Sequence, residues 1–156
     1  MTLRFSDMDE VTITKVNAAS IYKVIPLFDA YRQFYAQQAD LEGARGFLVA
    51  RVTKNESVIF LASESGQPVG FAQLYPSFSS LSMKRVWILN DLFVAMSARG
   101  QSVATALLRE CKRLALETGA KGLELETMKD NLPAQRLYEE LGWKRDEILY
   151  RYNLPV

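Results

Sequence analysis

The chain has 156 residues, 49% of them hydrophobic and 24% charged, which suits a single folded domain over 1–156 and excludes a disordered chain. Lys plus Arg number 19 and Asp plus Glu 18, for a formal charge of +1, and no basic face or arm suited to nucleic acid is visible. Histidine is absent and Cys111 is the only cysteine, which excludes imidazole-assisted nucleophiles, histidine or thiolate metal sites and an internal disulfide.

Val11 to Val16 is rich in β-branched residues and reads as a first strand. Asn17 and Ser20 offer caps for a helix from Ile21 to Ala36, whose apolar positions Ile21, Ile25, Phe28, Tyr31 and Tyr35 recur at spacings of three and four, with Pro26 as a kink point. Asp40 caps a second helix that ends near Asn55. Ser57–Ser63 and Val69–Tyr75 flank Glu-Ser-Gly-Gln-Pro and form a hairpin, Ser77–Ser82 reads as a polar loop, and Arg85–Val94 is a long central strand. Val103, Leu107, Cys111 and Leu114 mark one face of a helix that Gly119 stops. Leu123, Leu125 and Thr127 mark another strand, 132–141 a short helix ended by Gly142, and Ile148–Leu154 a last strand. The order predicts an α/β fold, a central mixed sheet flanked by about four helices.

Residues 65–83 carry no charge but contain five serines, two glutamines and two prolines, so no membrane span is expected there. Met1–Glu10 is acidic where a secretory signal would be basic, and the lone thiol suits a reducing compartment, so a cytoplasmic location is expected.

The stretch Asn90–Leu108 carries the chemistry. An apolar strand runs through a short loop holding Arg99 and Gly100 into an amphipathic helix, a junction that aims unpaired backbone N–H groups and a positive helix end at one spot. Such a junction fits a phosphate: Gly100 allows close approach, Arg99 adds charge, and Ser102 and Thr105 add hydroxyl donors. An ordinary strand-to-helix turn has the same pattern.

Here the chain resembles the GCN5-related N-acetyltransferases. Their main motif, Arg or Gln, two residues, Gly, one residue, then Gly or Ala, reads here Arg99-Gly100-Gln101-Ser102-Val103-Ala104. Ser102 stands where the family usually has glycine, so either its hydroxyl caps the helix or contacts phosphate, or its Cβ crowds the ligand. Downstream, Asn131, Ala134, Tyr138, Leu141, Gly142 and Trp143 match a second motif in the right order.

The resemblance implies acetyl-CoA as donor and an amine of a small molecule or peptide as acceptor, attacked directly, with a homodimer frequent; the balanced charge and the polar content of residues 65–83 set aside nucleic-acid and membrane partners. It implies a cofactor cradle over Leu92, Phe93, Val94 and Arg99 to Thr105 (Arg99, Gly100, Gln101, Ser102, Val103, Ala104, Thr105), with Asn131, Ala134 and Tyr138, the last as general acid. A primary amine is mostly protonated at neutral pH, so a carboxylate must act as base; Asp91 and Glu126 are the candidates, although Glu124 and Glu126 share parity, which equally suits a pair facing solvent. Leu89-Asn90-Asp91-Leu92 resembles the strand of polyamine acetyltransferases, with Asn90 in place of a glutamate. Tyr31, Tyr35, Asn90 and Asp91 are the expected amine contacts, since aromatic faces hold cations, although Tyr31 and Tyr35 also suit simple coverage of the sheet. A non-catalytic acyl-CoA-binding module and a different phosphate-ligand protein remain the rival readings.

Overall fold

Asn17 brings the first strand to an end, its Oδ1 accepting from the amides of Ala19 (2.9 Å) and Ser20 (3.1 Å) just after β1, Val11–Lys15. The computed structural model describes residues 10–98 and 100–156; residues 1–9, read above for a leader, and Arg99 lie outside them. The described residues fall into two units, one up to Glu126 and the other Thr127–Val156, each taken here by itself.

In the first unit, the helix expected from Ile21 to Ala36 begins in two stages. A 3₁₀ turn, Ile21–Lys23, comes first, and α1 spans Ile25–Phe34 with Pro26 in its first turn. Proline lacks only an N–H that a first turn leaves unbonded anyway, so Pro26 starts the helix instead of kinking it. Asp40 caps α2, Leu41–Thr53, by accepting from the Gly43 amide at 2.8 Å. A second carboxylate, Asp29, ties the two helices together. It is buried, and it accepts from the Asp40 amide (2.9 Å), Arg32 Nη1 (3.1 Å) and Gln33 Nε2 (3.1 Å).

Val58–Glu64 (β2) and Gln67–Ser79 (β3) form the hairpin, joined through Ser65 and Gly66, both at positive φ as a tight two-residue turn requires. β3 is longer than expected. Ser77, Phe78 and Ser79 pair with Val86, Arg85 and Lys84 of β4, Lys84–Val94, so the predicted loop shrinks to the turn 80–83. Serines fit there because the ribbon end is largely open to water, where a ladder needs paired backbone and not apolar side chains.

α3, Gln101–Glu117, buries Val103, Leu107, Leu108 and Cys111, and Gly119 at φ +63° follows its end. The chain then enters β5, Gly122–Leu125, which stops short of the expected Thr127. The sheet order is β1-β2-β3-β4-β5, antiparallel throughout except for the parallel β4–β5 pair, the mixed sheet that was expected.

Side chains alternate between the faces of the sheet. Ile59, Leu61 and Phe71 meet Ile25, Phe28, Ala44 and Leu48 of α1 and α2 in one core. α3 takes the opposite face, where Val103 approaches Gly70.

In the second unit, α4 spans Leu132–Glu140, making four α-helices among the described residues. Asn131 caps it by accepting from the Ala134 amide (3.3 Å), and Gly142 at φ +90° follows its end. The last strand expected over Ile148–Leu154 is not formed. This unit has one helix and no second strand to pair with, the amides of Ile148 and Leu149 turn to Asp146 Oδ1 (2.8 and 3.0 Å), and Ile148, Tyr150, Tyr152 and Leu154 are exposed. A strand is stable only against a partner.

Replacing Asp29 with Ala removes the one acceptor shared by these three donors, and should cost about 1–3 kcal/mol in urea unfolding.

Candidate active site

The β4–β5 ladder runs from the Val86–Gly122 pair only to Leu89–Leu125, whereas β4 stays paired with β3 as far as Val94. The stretch Asn90–Val94, which includes the expected acetyl-holding residues Leu92, Phe93 and Val94, therefore has a β3 neighbour on one side and no paired β5 residue on the other.

Beyond it, Gly100 precedes α3 with extended φ, and a Cβ built there meets nothing within 4 Å. The backbone does not demand glycine at this position, so its bare Cα leaves open space at the helix start. Among the described residues no side chain caps α3 and no acidic residue stands in its first turn. The donors of that turn and the positive helix end thus face no competing carboxylate from the helix itself. Ser102 is exposed and is not the cap, so of its two possible favourable roles only contact with a ligand is compatible with this geometry. Val103 is fully buried, so its side chain belongs to the core and only its backbone can serve an anion. Ala104 and Thr105 are half-buried in the same turn; Gln101 is the first residue of α3, and Arg99 lies outside the described residues. These features fit a diphosphate.

On the α1 side of the sheet the expected amine contacts come together. Asp91 is only 3% exposed. Gln73 Nε2 donates to its Oδ2 at 2.5 Å and Asn90 Nδ2 to its Oδ1 at 2.9 Å, while the Tyr31 hydroxyl lies between this carboxylate and the Asn90 carbonyl oxygen, 3.5 Å away. Burial raises the Asp91 pKa above the ordinary carboxylate value, against the opposing pull of these three donors. Burial and the Asp91 charge also raise Tyr31, and Tyr75 is pushed up to about 12 by the same two causes, with Arg51 opposing.

Around the carboxylate stand aromatic rings: Tyr31 lies 5.1 Å from Tyr35, 5.9 Å from Phe71 and 6.2 Å from Phe93. Tyr35 is 48% exposed, so the cluster has an open edge. The other candidate base, Glu126, is exposed and follows the end of β5, as Glu124 is exposed within it.

In the second unit Asn131 caps the helix α4 that carries Ala134 and Tyr138, and the Tyr138 ring lies 6.0 Å from that of Trp143. Gln73, Phe71 and Tyr75 did not figure in the sequence reading of the site. A glutamine inside the apolar run Phe71-Ala72-Gln73-Leu74 was the available signal, since a buried amide needs a partner.

Comparison with known proteins agrees. The acetyltransferase (GNAT) family pattern matches residues 22–143. The uncharacterized N-acetyltransferase YhfO of Bacillus subtilis is 45% identical over 146 residues, 94% of this chain and 98% of that protein. A probable acetyltransferase of Haemophilus influenzae is 36% identical, over 80% of this chain and 94% of its own length. The crystal structure of a probable acetyltransferase superposes with a TM-score of 0.88 at 45% identity, covering 93% of this chain and 97% of that one. The chain belongs to the acetyltransferase (GNAT) family and is an N-acetyltransferase by class. Among the described residues no helix is long and apolar enough to cross a membrane.

Gly70 pairs with Val94 at the end of this site, and a Cβ there would stand 2.8 Å from the Phe93 backbone oxygen. Gly70→Ala should force the two strands apart and lower stability by about 1–3 kcal/mol, measured by thermal unfolding.

Proposed function

We propose that the chain transfers acetyl from acetyl-CoA to a primary amine of a small molecule or peptide by direct attack. The observation that carries this reading is the release of β4 from β5 after Leu89, with a buried carboxylate, Asp91, inside the released stretch. When bound, acetyl-CoA supplies an acetyl group activated as a thioester.

The diphosphate is assigned to the first turn of α3, with Gly100 leaving room and Arg99, Gln101, Ser102, Ala104 and Thr105 contributing backbone or side-chain contacts. Main-chain amides of Leu92–Val94 are assigned to the acetyl oxygen, where negative charge develops. Tyr31, Tyr35 and Phe93 form the wall for the cationic amine, and Asp91 draws a proton from it through a water.

Asp91 is favoured over Glu126 because its raised pKa brings it closer to the operating pH, where a base is most effective. Tyr138 is assigned as the acid that returns a proton to the departing thiolate; its register on α4 with Ala134 and with the capping Asn131 supports this. We read the whole chain as one catalytic domain, a cytoplasmic homodimer, since the family is frequently dimeric and the one thiol suits a reducing compartment.

The reading is tested by calorimetric titration with acetyl-CoA, followed by a panel of polyamines, amino acids, aminoglycosides and short peptides scored for thiol release and acetylated product. Binding without turnover on any amine would leave only a binding module. With a good acceptor, Tyr138→Phe should lower kcat about 100-fold.

The base must be ionised to work. The rate should therefore fall as pH drops through the raised pKa of Asp91, above the ordinary carboxylate value of about 3.9, and Asp91→Asn should remove that limb of the kcat/KM profile.

A further inference from the structure

We infer that Gln73 is a positioning residue: its amide holds the Asp91 carboxylate in one orientation and keeps it anionic although it is buried. This rests on reading Asp91 as the base.

Gln73 sits in mid-β3, fully buried, directly across the ladder from Asp91. Immediately after it the register shifts, so that the next pair is Leu74 with Leu89 and Asn90 is the extra residue on β4. The shift places an amide donor on each carboxylate oxygen, Gln73 Nε2 on Oδ2 and Asn90 Nδ2 on Oδ1. Asn90 is exposed, so water can replace its contact. Water cannot replace that of Gln73.

The second observation is the other end of the same amide. Gln73 Oε1 is buried and has no hydrogen-bond partner. A leucine or methionine would leave no orphan there, and turning the amide over would set its oxygen against a carboxylate oxygen, two acceptors face to face. The polar side chain is therefore explained by what it does for Asp91 and not by its own satisfaction.

The other groups facing Asp91 are Tyr31 from α1 and Tyr75 from β3, both kept neutral, while Arg51 of α2 acts on Tyr75. Among the described residues no cation acts on the carboxylate, and the donors that oppose its burial there are the neutral groups of Gln73, Asn90 and Tyr31. With the most buried of these donors removed, protonation becomes easier.

The test compares the wild type with Gln73→Met, close in volume but without a donor, and with Gln73→Glu, using Asp91→Asn to assign the Asp91 carboxyl carbon in ¹³C NMR titrations. In Gln73→Met, both the carboxyl titration and the acid limb of kcat/KM should move up by about one pH unit or more, with the KM for acetyl-CoA unchanged. In Gln73→Glu, two carboxylates share the space and should titrate in two steps, one strongly raised.

An Asp91 titration at the wild-type pH in folded Gln73→Met overturns the inference. If that variant does not fold, an unaltered single-step titration of Asp91 in Gln73→Glu does the same. A carboxyl titration that moves in Gln73→Met, with rate profiles unmoved there and in Asp91→Asn, supports the hold on Asp91 while removing Asp91 as base.

Discussion

β4 keeps its β3 partner to Val94 but loses β5 after Leu89, and the rest of the site depends on this inequality. A strand paired on both sides to its end would have its main-chain donors spent on a neighbour. Because β5 is only four residues long, the last five residues of β4 reach past it, toward the start of α3. The same stretch has its inward side chains turned to the α1 face, where Asp91 and Phe93 meet Tyr31. One short strand thus sets the main chain of Asn90–Val94 and the buried Asp91 side chain in the same stretch of β4, unpartnered on the β5 side.

Burying Asp91 is costly, and the fold offsets the cost with hydrogen bonds in place of an opposite charge. An arginine beside it would hold the carboxylate well below its ordinary range and make it a poor proton acceptor. Amide and phenol donors stabilise the anion more weakly, so desolvation prevails and the group stays basic. A second buried acid of the first unit, Asp29, serves the fold: it accepts from Arg32, Gln33 and the Asp40 amide and fastens α1 to α2.

Much of this was legible in the sequence. The spacing Val103, Leu107, Cys111, Leu114 and the stop at Gly119 gave α3 nearly to the residue, and Asp40 marked the start of α2, because both signals are local. What failed depended on distant partners. Ser77–Ser79 looked like a loop because polar residues in an open ladder resemble one, and only pairing with Lys84–Val86 makes them strand. Ile148–Leu154 has the right residues for a strand but no strand in its own unit to pair with. Within the site, Asp91 was singled out as a carboxylate on the strand beside the motif and Tyr31 and Tyr35 as aromatics on the first helix, whereas Gln73 was not, since its role arises from a cross-strand register that a single run of sequence does not reveal.

Cys111 has a practical consequence. It is fully buried on the inner face of α3, and burial pushes its thiol up to about 12, so at assay pH it is neither ionised nor reachable. Colorimetric reagents that count free sulfhydryls will therefore register released coenzyme A over a protein blank close to zero. For the same reason, alkylating agents that silence cysteine-dependent enzymes should leave the native protein untouched.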